Sequence, residues 1–183
     1  PLKPALIHQV LSHLLREAVP IRNLATILET LGDHVERDSD PLSLTEHVRQ
    51  SLARTICQQH RDAQRVMRVV TLDPVLEETL ATTIELPPRD IEQIVQTVTT
   101  EIRRAATSGT HPVLLCRPDV RLAVKQITST ALPHLAVLSF REITADTVVE
   151  SLGQVSVDVA TNPAHRDRSA RKHRTERTTA GVS

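Results

Sequence analysis

An α-rich α/β fold is predicted for this chain of 183 residues, and three observations carry the prediction. Apolar residues recur at helical spacing from Leu6 through Ile56. Short β-branched or wholly apolar runs then appear at Val66–Leu72, His111–Cys116 and Leu135–Ser139. Phe140 is the sole aromatic residue, without Trp or Tyr, so the core must be built from Leu, Ile, Val and Ala. The organisation expected is a helical subdomain with a small sheet over 1–86, a βαβ-containing subdomain over 87–160, and a disordered basic tail over 161–183.

The first helix is expected over Pro4–Ala18, where the pairs Leu6/Ile7, Val10/Leu11 and Leu14/Leu15 make one apolar face. Pro20 disfavours helix at the residue before it and ends the segment. Leu24, Ile27, Leu28, Leu31 and Val35 line a second helix, and Asp38-Ser-Asp-Pro41 has loop chemistry. A third helix is expected to start at a capping box, with Ser43 as N-cap and Glu46 three residues on, and to bury Leu44, Val48, Leu52 and Ile56. Val66–Leu72 reads as a strand. Asp73-Pro74 then opens a helix with Leu76, Leu80 and Ile84 on one stripe.

Pro87-Pro88 marks the junction between the two expected subdomains. Ile91, Ile94, Val95, Val98 and Ile102 form an amphipathic helix ending near Ser108-Gly109. The continuously apolar strand ending at Cys116, a helix opened by Pro118, and the strand Leu135–Ser139 make a βαβ unit, so these strands should be parallel with a right-handed crossover. Val155, Val157 and Val159 alternate with Ser156 and Asp158 and suggest an edge strand.

Composition excludes several function classes. With Gly only at 32, 109, 153 and 181, neither a P-loop nor a dinucleotide fingerprint can be written. One aromatic residue cannot form a stacking platform for single-stranded nucleic acid. Formal charge is zero, but residues 164–183 hold six basic and two acidic groups, leaving 16 basic and 20 acidic to the rest. A basic tail on a mildly acidic body is the pattern of a solvated end. Cys57 and Cys116 sit beside aliphatic residues, as buried free thiols do. No apolar run approaches the ~18 residues that span a bilayer. The chain begins at Pro1 rather than Met, which suggests a piece of something longer.

The segments VLSHLLREAVPIRNLATILETLGDH (Val10–His34), LTEHVRQSLARTIC (Leu44–Cys57) and LDPVLEETL (Leu72–Leu80) resemble the cytoplasmic domain of type III secretion export-gate proteins. So do PVLLCRPDVRLAVKQI (Pro112–Ile127) and LPHLAVLSFREI (Leu132–Ile143), the latter with its VLS-x-x-EI ending. That family comprises the flagellar export gate and the large gate subunit of injectisomes. The resemblance runs from Leu6 to Val157 in unbroken order. It implies a homo-oligomeric ring beneath the bacterial inner membrane, receiving export chaperones and secreted substrates and working beside the apparatus ATPase complex. It also implies a multi-span membrane region preceding this segment. No catalytic residue, cofactor or metal is implied, and the tail departs from the family pattern.

Candidate interface residues are the charged or polar members of the family-like segments: Arg22, Asn23, Glu29, Glu46, Arg49 and Arg54. They could pair between subunits, or cap helices, bridge within one subunit or face solvent. Phe140, Arg141 and Glu142 follow a strand end, where open α/β sheets place ligands, and are candidates for partner binding. Cys116 followed by Arg121 invites a thiolate reading, but no glycine anion loop accompanies it. Cys57-x2-His60 has metal-like spacing without further convergent ligands. Three helices and a strand also suggest a winged-helix nucleic-acid binder with Arg49, Gln50 and Arg54 on its reading helix. Residues 1–72, however, hold nine basic and eight acidic groups, too balanced for phosphate contacts.

Overall fold

The computed structural model describes residues 2–106 and 109–159. Helix α1 (Pro4–Arg16) ends as predicted near Pro20, through Ala18 in the left-handed region at φ 56°. There Val19 N donates to Leu14 O at 2.9 Å and closes the helix end. Helix α2 (Leu24–His34) is capped by the Asn23 side chain, which accepts from Thr26 N. The third predicted helix is two: α3 (Pro41–Ser51) and α4 (Ala53–His60), jointed at Leu52. Its N-cap is Asp40 rather than Ser43. Asp40 Oδ2 accepts from Ser43 N at 2.9 Å, and Pro41 takes the first helical position, where its missing N–H costs nothing. Glu46 is thereby released from capping.

Strand β1 (Val66–Leu72) leads through the Asp73 cap into α5 (Pro74–Thr82). This helix is shorter than its apolar stripe predicted, and Ile84 lies wholly exposed beyond it. Then come α6 (Pro88–Ala105), β2 (Val113–Cys116), α7 (Arg121–Thr128), β3 (Val137–Ser139), a 3₁₀ turn (Phe140–Glu142) and β4 (Val148–Val155). The last strand lies earlier than the Val155–Val159 alternation suggested; Val155 ends it, and Val157 is buried beyond it. The expectation for 161–183 falls outside the described residues.

All four strands are parallel, in the order β3-β2-β1-β4. Strand β1 therefore pairs with partners from the far side of the Pro87-Pro88 junction, and one sheet joins the stretches before and after it. This also removes the winged-helix reading, because β1 lies mid-sheet between parallel neighbours instead of forming an antiparallel wing.

Alternation along the strands divides the core. Met67, Val69, Val113, Leu115 and Leu138 face α1–α4, where Val10, Leu14, Ile27, Leu31, Val48 and Ile56 are buried. Val70, Leu72, Leu114, Cys116 and Val137 face α5–α7, against Leu76, Ile94, Val98 and Val124. The result is a helix–sheet–helix sandwich, and β2 and β3 are buried at every position because both faces are covered. No helix among the described residues is long and apolar enough to cross a membrane.

Candidate functional site

At the β3 edge the two helical layers meet around a buried ionic joint. Arg121 opens α7 and is wholly buried. Its Nη1 and Nη2 donate to the two Glu17 oxygens at 2.8 and 3.0 Å, and its Nε and Nη2 donate to the two Glu46 oxygens. Nη1 also reaches Val137 O at 3.1 Å. Arg49, on α3, donates through Nε to Glu142 at 2.7 Å and through Nη1 to Glu17 at 3.1 Å. Glu142 spends its other oxygen on Ser139 N at 2.6 Å. Two guanidinium groups thus share three carboxylates drawn from the C-cap of α1, from α3 and from the 3₁₀ turn. A buried arginine is tolerable only when its donors are met, and every nitrogen of Arg121 is bonded.

The electrostatics follow from this packing. Burial raises the cost of ionising Glu17, but hydrogen bonds from Arg121 and the charges of Arg49 and Arg121 outweigh it and hold the carboxyl below its ordinary range. Burial likewise opposes the Arg121 charge, yet Glu46 and Glu17 hold that guanidinium firmly protonated. Burial pushes His60 down, with Arg49 adding repulsion. A cleft of about 360 Å³ opens the joint to solvent between α1, α3 and α7, lined by His13, Glu17, Thr45, Glu46, Lys125 and Gln126.

The sequence-predicted residues divide into two groups. Arg49 and Glu142 are 2% and 1% exposed and pair with each other within the chain, while Glu46 pairs with Arg121 and stays part-exposed at the cleft. This inward Arg49 also leaves the suggested reading helix with one of its two cations, Arg54, exposed. Arg22, Glu29 and Arg54 are exposed, as is Asn23, whose side chain caps α2. Leu15 and Leu24, 55% and 44% exposed, flank the α1–α2 connection beside Arg22. Phe140 is 49% exposed and Arg141 is exposed, on a turn fixed by Glu142 and by the Cys57 thiol, which donates to Glu142 O at 3.0 Å. That bond occupies Cys57, and among the described residues no three His, Cys, Asp or Glu side chains group to hold a metal ion.

Sequence reasoning missed Glu17 and the role of Arg121. The available signal was spacing: Arg121 shares a helical face with buried Val124 and Thr128. Cys116 is buried on the α5–α7 side, its thiol 3.6 Å from Leu138 O and pushed well up by burial, the reverse of an activated nucleophile. Past the end of β2, Arg117 pairs with Glu78 at 2.8 Å and with Asp119, while its backbone N–H donates to Glu77. Among the described residues, exposed large apolar side chains include Leu15 and Leu24 around the α1–α2 connection and Phe140 on the 3₁₀ turn.

The FHIPEP family model matches residues 1–148. The flagellar biosynthesis protein FlhA of Bacillus subtilis (strain 168) is 37% identical over 166 residues, covering 86% of this chain and 24% of that protein. The Chlamydia pneumoniae CdsV protein, solved in complex with CdsO, has a TM-score of 0.76 at 30% identity, covering 84% of this chain and 48% of that one. Nonameric EPEC SctV-C has a TM-score of 0.74 at 28% identity, covering 84% of this chain and 49% of that one. The chain therefore spans about a quarter of the length of the flagellar relative and about half of the solved chains.

Proposed function

The chain belongs to the FHIPEP family of type III export-gate components, and from that premise we propose that it is part of the cytoplasmic domain of such a gate. In this reading it assembles with copies of itself into a ring beneath the bacterial inner membrane and receives chaperone–substrate complexes for export. Its supporting observation is the family match over 1–148 together with the nonameric state of the EPEC relative. Ring contacts fall to the exposed Arg22, Asn23, Glu29 and Arg54, with Leu15 and Leu24 as the adjoining apolar surface.

Partner recognition falls to Phe140 and Arg141. A half-exposed aromatic on a rigid turn suits an anchor, because little side-chain freedom remains to be lost on binding. Repeating such a weak site around a ring raises the effective concentration for a multivalent cargo complex. CdsV is captured with another apparatus protein, CdsO, which supports a docking role for this domain class. The buried joint serves both surfaces by fixing the 3₁₀ turn to α1, α3 and α7.

Export of a reporter cargo by cells carrying Phe140→Ala with Arg141→Glu tests the recognition step. The expected result is a loss of export at unchanged cellular level of the gate. Undiminished export would remove this pair from the reading.

A further inference from the structure

The two edges of the sheet are finished differently. On β3 and in the two residues before it, outward groups are covered by side chains: Val137 O accepts from Arg121 and Arg49, Leu135 O accepts from Lys125, and Ser139 N donates to Glu142. Strand β4 is eight residues long, about 27 Å at the usual rise, and pairs only with β1. Val148 N donates to Arg65 O and Val155 O accepts from Asp73 N, which aims those residues at β1. Alternation then aims Val149 and Ser151 outward, as it does Gln154 beyond the register shift opposite Val69/Val70. Among the described residues no side chain bonds to those outward backbone groups.

We propose that β4 is where two copies of this chain join, edge to edge and antiparallel about a two-fold axis, extending the sheet to eight strands. Where no side chain covers them, a row of outward N–H and C=O groups is matched group for group by another extended strand. Several features favour a second copy as that strand. Val148 and Val149 are 58% and 42% exposed, and β4 contains no Lys, Arg or Pro, the residues that ordinarily guard an edge. Its one charge, Glu150, is already neutralised by Arg68 at 3.0 Å, so two such strands meet without uncompensated like charges. The covered β3 edge then stops growth at two instead of permitting a fibre. This contact is separate from the proposed ring surface and doubles whichever unit carries it, single chain or ring.

Light scattering on the full chain at 5 and 200 µM tests the proposal, comparing wild type with Ser151→Pro and Val149→Pro. Each proline removes an outward N–H that does not donate to β1, so the melting transition should be preserved. At 200 µM the wild-type mass is expected to be twice that of either variant. Hydrogen exchange at the Val149 amide is expected to slow at least tenfold between the two concentrations in the wild type, and not in Ser151→Pro. Equal masses at 200 µM, or exchange at Val149 independent of concentration, would overturn it. Should a proline variant lose its cooperative transition, Ser151→Lys replaces it and must halve the mass as well.

Discussion

Replacing Arg121 with Met keeps the bulk and apolar stem of the side chain while deleting five hydrogen bonds. Two go to Glu17, two to Glu46 and one to Val137 O. Breaking a buried ion pair from one side costs about 3–5 kcal/mol, because the abandoned carboxylates stay behind. Here the lower end applies. Glu17, 14% exposed, keeps Arg49, and Glu46, 19% exposed, borders the solvent cleft. A loss of about 3 kcal/mol corresponds to a melting temperature lower by roughly 6–12 °C for a domain of this size. Thermal and urea unfolding by circular dichroism measure it. Adding Glu46→Gln should recover about half the loss, since the partner left without a counter-charge is then neutral. An Arg121→Met protein melting within about 2 °C of wild type would refute the view that this joint ties the helical layers together.

Other outcomes follow from single features. Ala18→Gly should stabilise the chain by about 0.5–1 kcal/mol in urea unfolding, because Ala18 sits at φ 56° where glycine carries no Cβ penalty; a loss of stability there would contradict the helix ending described. Both thiols are buried, so a thiol reagent at neutral pH should label the native chain only at its opening rate, and labelling as fast as a free thiol would contradict the packing of Cys116. Acid should destabilise in two stages, read as urea midpoints across pH. Burial depresses the folded-state His60 value, so the unfolded chain binds the proton more readily and stability begins to fall below the ordinary value of 6.5. Glu17 lies below its ordinary 4.5, and Asp146, bonded by Thr144 and Arg61, lies at about 2. Their contributions are complete above the unfolded carboxylate values and are lost as pH falls through the folded ones. A midpoint that peaks near pH 4 would contradict this sign.

Much of the fold is legible in the residue order because local chemistry and packing agree there. Leu6 through Leu15 repeat at helical spacing, Asp73-Pro74 caps α5, and the short apolar runs ending at Cys116 and Ser139 read as strands covered on both faces. Two elements misled for physical reasons. Strand β4 is mostly exposed and carries Gly153, so Val-Val-Glu-Ser-Leu-Gly-Gln-Val shows no alternation, and pairing with β1 alone makes it a strand. Ser43 and Glu46 have capping-box spacing, but Pro41 starts the helix earlier and frees Glu46 for Arg121. The site was legible by residue type and not by direction. Nothing in the order of residues says that Arg49 turns inward while Arg54, five positions on, faces out. That difference depends on Glu142, 93 residues away along the chain. Phe140 shows the converse, since an aromatic beside apolar strands usually packs inward and the 3₁₀ turn instead directs it out.

A chain that forms part of an export-gate ring, as proposed, must show that ring as a mass in solution. Native mass spectrometry in the Ser151→Pro background isolates ring contacts from strand pairing. A nine-copy species is expected, lost on Arg22→Glu with Arg54→Glu while the melting temperature is unchanged. A single-copy mass at every concentration, or an assembly indifferent to both substitutions, would contradict it.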